Sequence, residues 1–193
     1  MLDRWTVSLL EEPLSRAAAV LRKAGIHPDR ITFAGFTLGL LAVPALAYQH
    51  YYLALLLILL NRLADGLDGA LARITTPTDS GGYLDITLDF IFYAAVVFGF
   101  ALADPAQNAL PAAALLASFM GTGGSFLAFA IMAQKRGIDN IRLPNKGLYY
   151  INGLAEGTET IMFLVAFCVW PEFFPVLAWI FFFICVVTTI TRV

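Results

Sequence analysis

The chain has 193 residues, of which 60% are hydrophobic and 13% charged, with a mean hydropathy of +0.78. That balance lies outside the range of soluble domains and makes this a membrane protein. The formal net charge is −2. That charge is uninformative, and no basic face interleaved with aromatics points to a nucleic-acid partner.

Residues 1–24 alternate Leu2, Trp5, Leu9, Leu10, Leu14 and Leu21 with Asp3, Arg4, Glu11, Glu12, Arg16, Arg22 and Lys23. This spacing predicts an amphipathic helix lying on the cytoplasmic membrane surface, despite Pro13. It lacks the uninterrupted apolar core and cleavage site of a signal peptide, so the first spanning helix would direct insertion. Apolar runs long enough to cross a bilayer, about 20 residues each, lie at 30–48, 51–73, 82–103, 109–134, 147–170 and 174–192. The expected fold is therefore all-α, a single polytopic domain over residues 1–193 with six transmembrane helices and an interfacial helix.

The separators are short and carry turn chemistry: Gln49-His50, Asp104-Pro105 and Pro171-Glu172 on one side, Thr76 to Ser80 and Arg136 to Lys146 on the other. Lys and Arg fall on or near one face only, which puts both termini in the cytoplasm and the protein in the cytoplasmic (inner) membrane. Asp79 is expected to cap the helix that follows it. Cys168 and Cys185 stand alone in apolar helices and read as small buried hydrophobes. His27 and His50 fall at membrane boundaries, where a solvated imidazole is expected.

The stretch "NRLADGLDGALARITTPTDSGGYLDITLDF", residues 61–90, gathers acid in this apolar chain. Asp65 lies about 21 Å along its helix from Tyr51, short of a hydrocarbon thickness of about 30 Å, and so within the cytoplasmic leaflet. Asp65, Asp68, Gly69 and Arg73 share one broad helical face, with almost no bulk at Gly69 and Ala72. In the next helix Gly81, Asp85 and Asp89 form a straight stripe from the same end. The short turn keeps the two helices adjacent and antiparallel, so the four aspartates can converge. Asn61 and Arg62, one turn before Asp65, either orient these carboxylates or place a snorkelling cation.

Four carboxylates cannot all stay ionised in a low-dielectric site, where each costs on the order of 3 kcal/mol. All-oxygen ligation favours Mg²⁺, Mn²⁺ or Ca²⁺, and two divalent ions would balance four negative charges. Mg²⁺ keeps positions open for phosphate oxygens, which points to a phosphorylated substrate. A structural network of Asp and Arg is the plainer alternative. A divalent-cation carrier would want polar groups continuing to the far side, and "YLALLLILL" and "FIFYAAVVFGF" offer none. An intramembrane prenyltransferase and a catalytically inactive scaffold are further alternatives.

"D65-x-x-D68-G69-x-x-A72-R73" followed by "G81-x-x-x-D85-x-x-x-D89" resembles the signature of the CDP-alcohol phosphotransferase (CDP-alcohol phosphatidyltransferase) family, membrane enzymes with six transmembrane helices. All eight signature residue types are present. One departure is that seven residues, Ile74 to Ser80, separate the Arg from the second Gly, where the family usually has eight. "HPDRITFAGFTLG" also resembles the family's entry segment.

The resemblance implies metal-dependent transfer of a phosphatidyl group from CDP-diacylglycerol to a small hydroxyl acceptor, with CMP leaving, in a site facing the cytoplasm. Asp65, Asp68, Asp85 and Asp89 would hold two divalent cations, Mg²⁺ or Mn²⁺, and Asp89 would also be the catalytic base. Gly69, Ala72, Arg73 and Gly81 would border the donor nucleotide, with Pro28 and Thr32 flanking its pocket. Homodimers are common in the family. Transfer of a phosphoalcohol from a soluble CDP-alcohol to a lipid hydroxyl is the alternative reaction.

The acceptor is left open. Glu156 and Glu159, in "AEGTET" of the fifth span, are expected to line a polar pocket. The loop carrying Lys135, Arg136, Arg142 and Lys146 could instead attract a phosphorylated alcohol. Gly35 and Gly39, and the glycines at 121, 123 and 124, mark close helix contacts.

Overall fold

A computed structural model of the chain describes residues 3–137 and 154–193. Its elements are α1 (Asp3–Lys23), α2 (Pro28–Leu40), α3 (Ala42–Ala47), α4 (Tyr51–Ile74), α5 (Asp79–Ala103), α6 (Pro105–Lys135), α7 (Gly157–Val169), a 3₁₀ turn at Pro171–Phe173, and α8 (Phe174–Arg192). The described residues contain helices and turns without strands, as expected from the apolar runs.

Four segments are long and apolar enough to cross a membrane: Pro28–Ala47, Asp79–Ala103, Pro105–Lys135 and Pro171–Arg192. Helix α4 has the length, at 24 residues, but carries Arg62, Asp65, Asp68 and Arg73 from its midpoint onward. The fifth apolar run enters the described structure as the 13-residue helix α7; the start of that run lies outside the described residues. Within the expected interfacial segment, Asp3–Lys23 form a helix through Pro13, which has no N–H to give to the preceding turn.

Local chemistry sets the boundaries. Pro28 opens α2 at a position where a missing N–H costs nothing. Pro44 cannot donate to the carbonyl of Leu40, and the first span breaks there into α2 and α3. A Schellman turn closes α3: Gln49 N–H donates to Leu46 O at 2.7 Å and His50 N–H to Ala45 O at 2.8 Å. Gln49 sits at φ 61° and its side chain donates to Ala103 O at 3.0 Å, joining the C-terminal ends of α3 and α5. Asp104 caps α6 by accepting from Gln107 N–H at 3.1 Å, with Pro105 following.

At α5 the cap differs from expectation. Thr78 is the N-cap, its hydroxyl accepting from Gly81 N–H at 3.0 Å, and Asp79 is the first helical residue. A hydroxyl one residue earlier reaches that N–H, leaving the Asp79 charge to act on the positive end of the helix.

α2 and α3 pack against both α4 and α5, with α2 antiparallel to α4 and the α2–α3 span parallel to α5; α5 packs against α6, and α6 runs parallel to α8. The core fills the bundle away from the acidic residues: Phe92, Phe100, Phe167, Phe174 and Phe181 are fully buried, and Phe100 stacks on Phe174 with ring centroids 4.7 Å apart. Leu53, Leu56, Leu60, Ile91, Phe98, Met120 and Ile180 are exposed on the outside, as an apolar solvent requires. A smaller cluster docks α1 onto the acidic helix, where Leu14, Ala18 and Leu21 meet Ala70 and Leu71. Both Cys168 and Cys185 are buried and unbridged.

Candidate active site

Two glycines bring α2 close to α4 and α5. A Cβ on Gly35 would collide with the Ala64 Cβ, and one on Gly39 would sit 2.8 Å from the Phe92 ring. The G-x-x-x-G stripe is thus an internal contact in this structure, and it draws the helix carrying Thr32 over the acidic face of α4.

The resulting cleft is lined by Thr32, Gly35, Phe36, Asn61, Arg62, Asp65, Asp68, Asp85, Leu88 and Asp89. All four aspartates therefore border one space. Carboxylate oxygens of Asp65, Asp68 and Asp85 lie within 4.8 Å of one another, close enough to share a cation. Asp68 is buried and accepts a hydrogen bond from the Thr32 hydroxyl; Asp85 is exposed, giving the cluster a solvent side.

Asp89 borders the cleft but faces a different partner. Arg62 Nη2 donates to its Oδ1 at 2.6 Å, and the Tyr93 hydroxyl donates to its Oδ2 at 3.1 Å. Asn61 accepts from Arg62 at 2.6 and 2.9 Å and donates to Gly35 O at 3.0 Å, tying the arrangement to α2. Sequence reasoning singled out Asn61 and Arg62 but not Tyr93. The signal was present: Gly81, Asp85 and Asp89 continue at the same four-residue step to Tyr93.

Gly69 and Ala72 lie on α4 beyond the cluster, and the Arg73 side chain folds back so that its Nη1 would lie 3.5 Å from a Cβ on Gly69. Gly81, in the first turn of α5, lies beside the start of α2, where Pro28 also lies; a Cβ there would meet Thr78 Oγ1 at 3.1 Å and Asp29 Oδ1 at 3.6 Å. Asp29 was not anticipated.

Glu156 and Glu159 do not line this cleft. Glu156 is the buried N-cap residue of α7 and Glu159 is in its first turn, so the helix starts later than the sequence reading placed it. The Thr188 hydroxyl of α8 fixes this start by accepting from Ala155 N–H at 2.9 Å. Arg142 and Lys146 lie outside the described residues; Lys135 and Arg136 end α6.

Fold and cleft together define a helical membrane protein with a three-carboxylate, all-oxygen site near one end of the bundle. The family model for CDP-alcohol phosphatidyltransferase matches residues 25–191. The chain belongs to that family and is an enzyme of its class, a transferase of phospholipid biosynthesis. Similar proteins include "Inner membrane protein YnjF" of Escherichia coli, 54% identical over all of this chain and 94% of the relative. Archaetidylinositol phosphate synthase of Pyrococcus horikoshii is 30% identical over 85% of this chain and 88% of its own length. Among solved structures, phosphatidylinositol phosphate synthase (PgsA1) of Mycobacterium tuberculosis with CDP-DAG bound superposes with a TM-score of 0.74, at 21% identity over 93% of this chain and 90% of that one. The same enzyme with manganese and citrate gives a TM-score of 0.72 at 24% identity, over 93% and 86% of the two chains. At those identities the structures establish a shared fold.

Proposed function

We propose that this enzyme transfers the phosphatidyl group of CDP-diacylglycerol to the hydroxyl of a small polar alcohol, releasing CMP. The observation that carries the reading is the convergence of Asp65, Asp68 and Asp85 within 4.8 Å, from two helices, in a cleft that also holds Asp89. Hard oxygen donors on rigid helices suit Mg²⁺ or Mn²⁺, with Asp65, Asp68 and Asp85 holding one ion and Asp89 completing a second. When bound, such ions neutralise pyrophosphate and stabilise charge on the attacking and leaving oxygens. The mycobacterial relatives with CDP-DAG and with manganese support both parts of the reading.

Each residue then has a task. Thr32 holds Asp68 in place through its hydroxyl. Pro28, Gly69, Ala72 and Gly81 keep the approach to the helix backbones low in bulk for the nucleotide, and Arg73, exposed at the end of α4, offers a forked cation to phosphate oxygens. Asp89 takes the proton of the acceptor hydroxyl as its oxygen bonds to phosphorus and the bond to CMP breaks. The acceptor is recognised by Arg142 and Lys146 where it is a phosphorylated alcohol, or by Glu156 and Glu159 where it is a neutral or amine-bearing one.

The topology that goes with this reading has six spans, α2 with α3, then α4, α5, α6, α7 and α8, and α1 at the interface. The basic ends of α1, α4, α6 and α8 would face the cytoplasm together with the site. A homodimer is part of the proposal.

The test is CMP release from CDP-diacylglycerol by the purified protein with Mg²⁺ or Mn²⁺, across glycerol 3-phosphate, inositol phosphate, serine and other acceptors, with the lipid product weighed by mass spectrometry. One acceptor should yield CMP and a phosphatidyl product in equal amounts. Folded protein that releases no CMP with any acceptor would overturn the reading.

A further inference from the structure

Arg62 has a side chain only 10% exposed, in a part of the bundle where a buried cation must be paired. Both prongs of its guanidinium grip Asp89, Nη2 to Oδ1 at 2.6 Å and Nη1 to Oδ2 at 3.3 Å. Nη1 also donates to the Tyr93 hydroxyl at 3.0 Å, and that hydroxyl donates to Asp89 in turn. Asn61 holds the other edge, and the group lies over the Phe92 and Tyr93 rings at 4.8 and 5.2 Å. Asp65 is more distant from it, at 3.5 Å.

The four acids are thus divided. Asp65, Asp68 and Asp85 point their oxygens at one another, whereas both oxygens of Asp89 are taken by Arg62 and Tyr93. A carboxylate gripped on both oxygens by a forked cation is a poorer metal ligand, because the guanidinium takes a lone pair on each oxygen and its charge repels the incoming ion. Asp89 serves a second ion best by turning away from Arg62.

We propose that Arg62 is a positioning residue that orders metal uptake, holding Asp89 out of the carboxylate cluster until a second divalent ion displaces it. This rests on the two-ion reading given above. The first ion enters at Asp65, Asp68 and Asp85, and the internal cation stands in for the second while the donor is absent.

Mn²⁺ binding to the purified full-length chain, followed by the free-ion electron paramagnetic resonance signal, tests this without turnover. Wild type should take up one ion and bind a second at least ~10-fold more weakly, the scale of typical coupling between sites. Arg62→Gln should tighten the second ion by ~10-fold or more, and adding Asp89→Asn to it should remove that gain. Should Arg62→Gln not fold, Arg62→Lys loses the forked grip and should tighten the second ion in the same direction. Two ions of equal affinity in wild type, no gain in either Arg62 variant, or a gain that survives Asp89→Asn overturns the inference. If a first ion still binds and is lost in Asp85→Asn, the metal reading stands without it; no Mn²⁺ uptake by wild type at all overturns both.

Discussion

The hydroxyl of Thr32, in α2, donates to Asp68 Oδ2, in α4, joining the entry segment to the signature helix through a carboxylate that is 5% exposed. Thr32→Val would remove the donor and leave a buried acceptor unsatisfied, a loss of about 1–3 kcal/mol. The metal-free protein should melt lower, and Mn²⁺ should recover part of the loss by engaging Asp68. Thr32→Ser keeps the hydroxyl and should resemble wild type. Unchanged melting in Thr32→Val would show that the link contributes nothing to stability.

Close approach of α2 and α4 depends on Gly35, where an added Cβ would collide with the Ala64 Cβ. Gly35→Ala should force the helices apart and destabilise by about 1–3 kcal/mol, as overpacking does, with activity falling because Thr32 and Asp68 separate. Gly82 has nothing within 4 Å of its would-be Cβ, so Gly82→Ala provides a substitution without a clash. Thermal melting in detergent distinguishes the two; equal melting would mean that the approach at Gly35 is loose.

Three residues around α5 separate folding from chemistry. Thr78→Ala removes the N-cap and should cost about 1 kcal/mol, while Asp79→Asn should leave turnover nearly intact. Asp89→Asn should lower kcat at least ~100-fold through loss of the base, while CDP binding persists. Equal kcat losses in Asp79→Asn and Asp89→Asn would contradict the assignment of the base.

Much of this was legible in the sequence because helical spacing is rigid. The steps from Asp65 to Asp68 and from Gly81 through Asp85 to Asp89 decide which side chains share a face. The short turn did not make α4 and α5 close partners as expected; each packs on α2, and that brings the two acidic faces together. The partner of Asp89 was not decidable, because Arg62 is long enough to reach water, phosphate or carboxylate, and only packing against Phe92 and Tyr93 selects among them. Helix starts were similarly open. Thr78 and Asp79 are both good caps, and the φ of the residue decides between them; at Glu156, the apolar run continues across a boundary that Thr188 fixes from another helix.

Topology can be tested by cysteine labelling in intact cells. Asn108 is buried against Phe100 O, so the exposed neighbour Gln107 is the better reporter of the α5–α6 connection, and exposed Ser80, in the first turn of α5, reports the opposite end. Gln107→Cys should react with an impermeant reagent added outside the inner membrane, and Ser80→Cys only after lysis. Reaction of both from one side would contradict the six-span arrangement.

The central claim is that carboxylates from α4 and α5 hold divalent metal for phosphatidyl transfer. Its most direct test is CMP release from CDP-diacylglycerol by chelator-stripped protein as Mn²⁺ is restored, for wild type, Asp68→Asn and Asp85→Asn. The account predicts no release without metal, recovery in wild type, and at least ~100-fold lower release in both variants, on the scale that positioned catalytic groups supply. Full release in excess chelator, or wild-type recovery in Asp85→Asn, would contradict it.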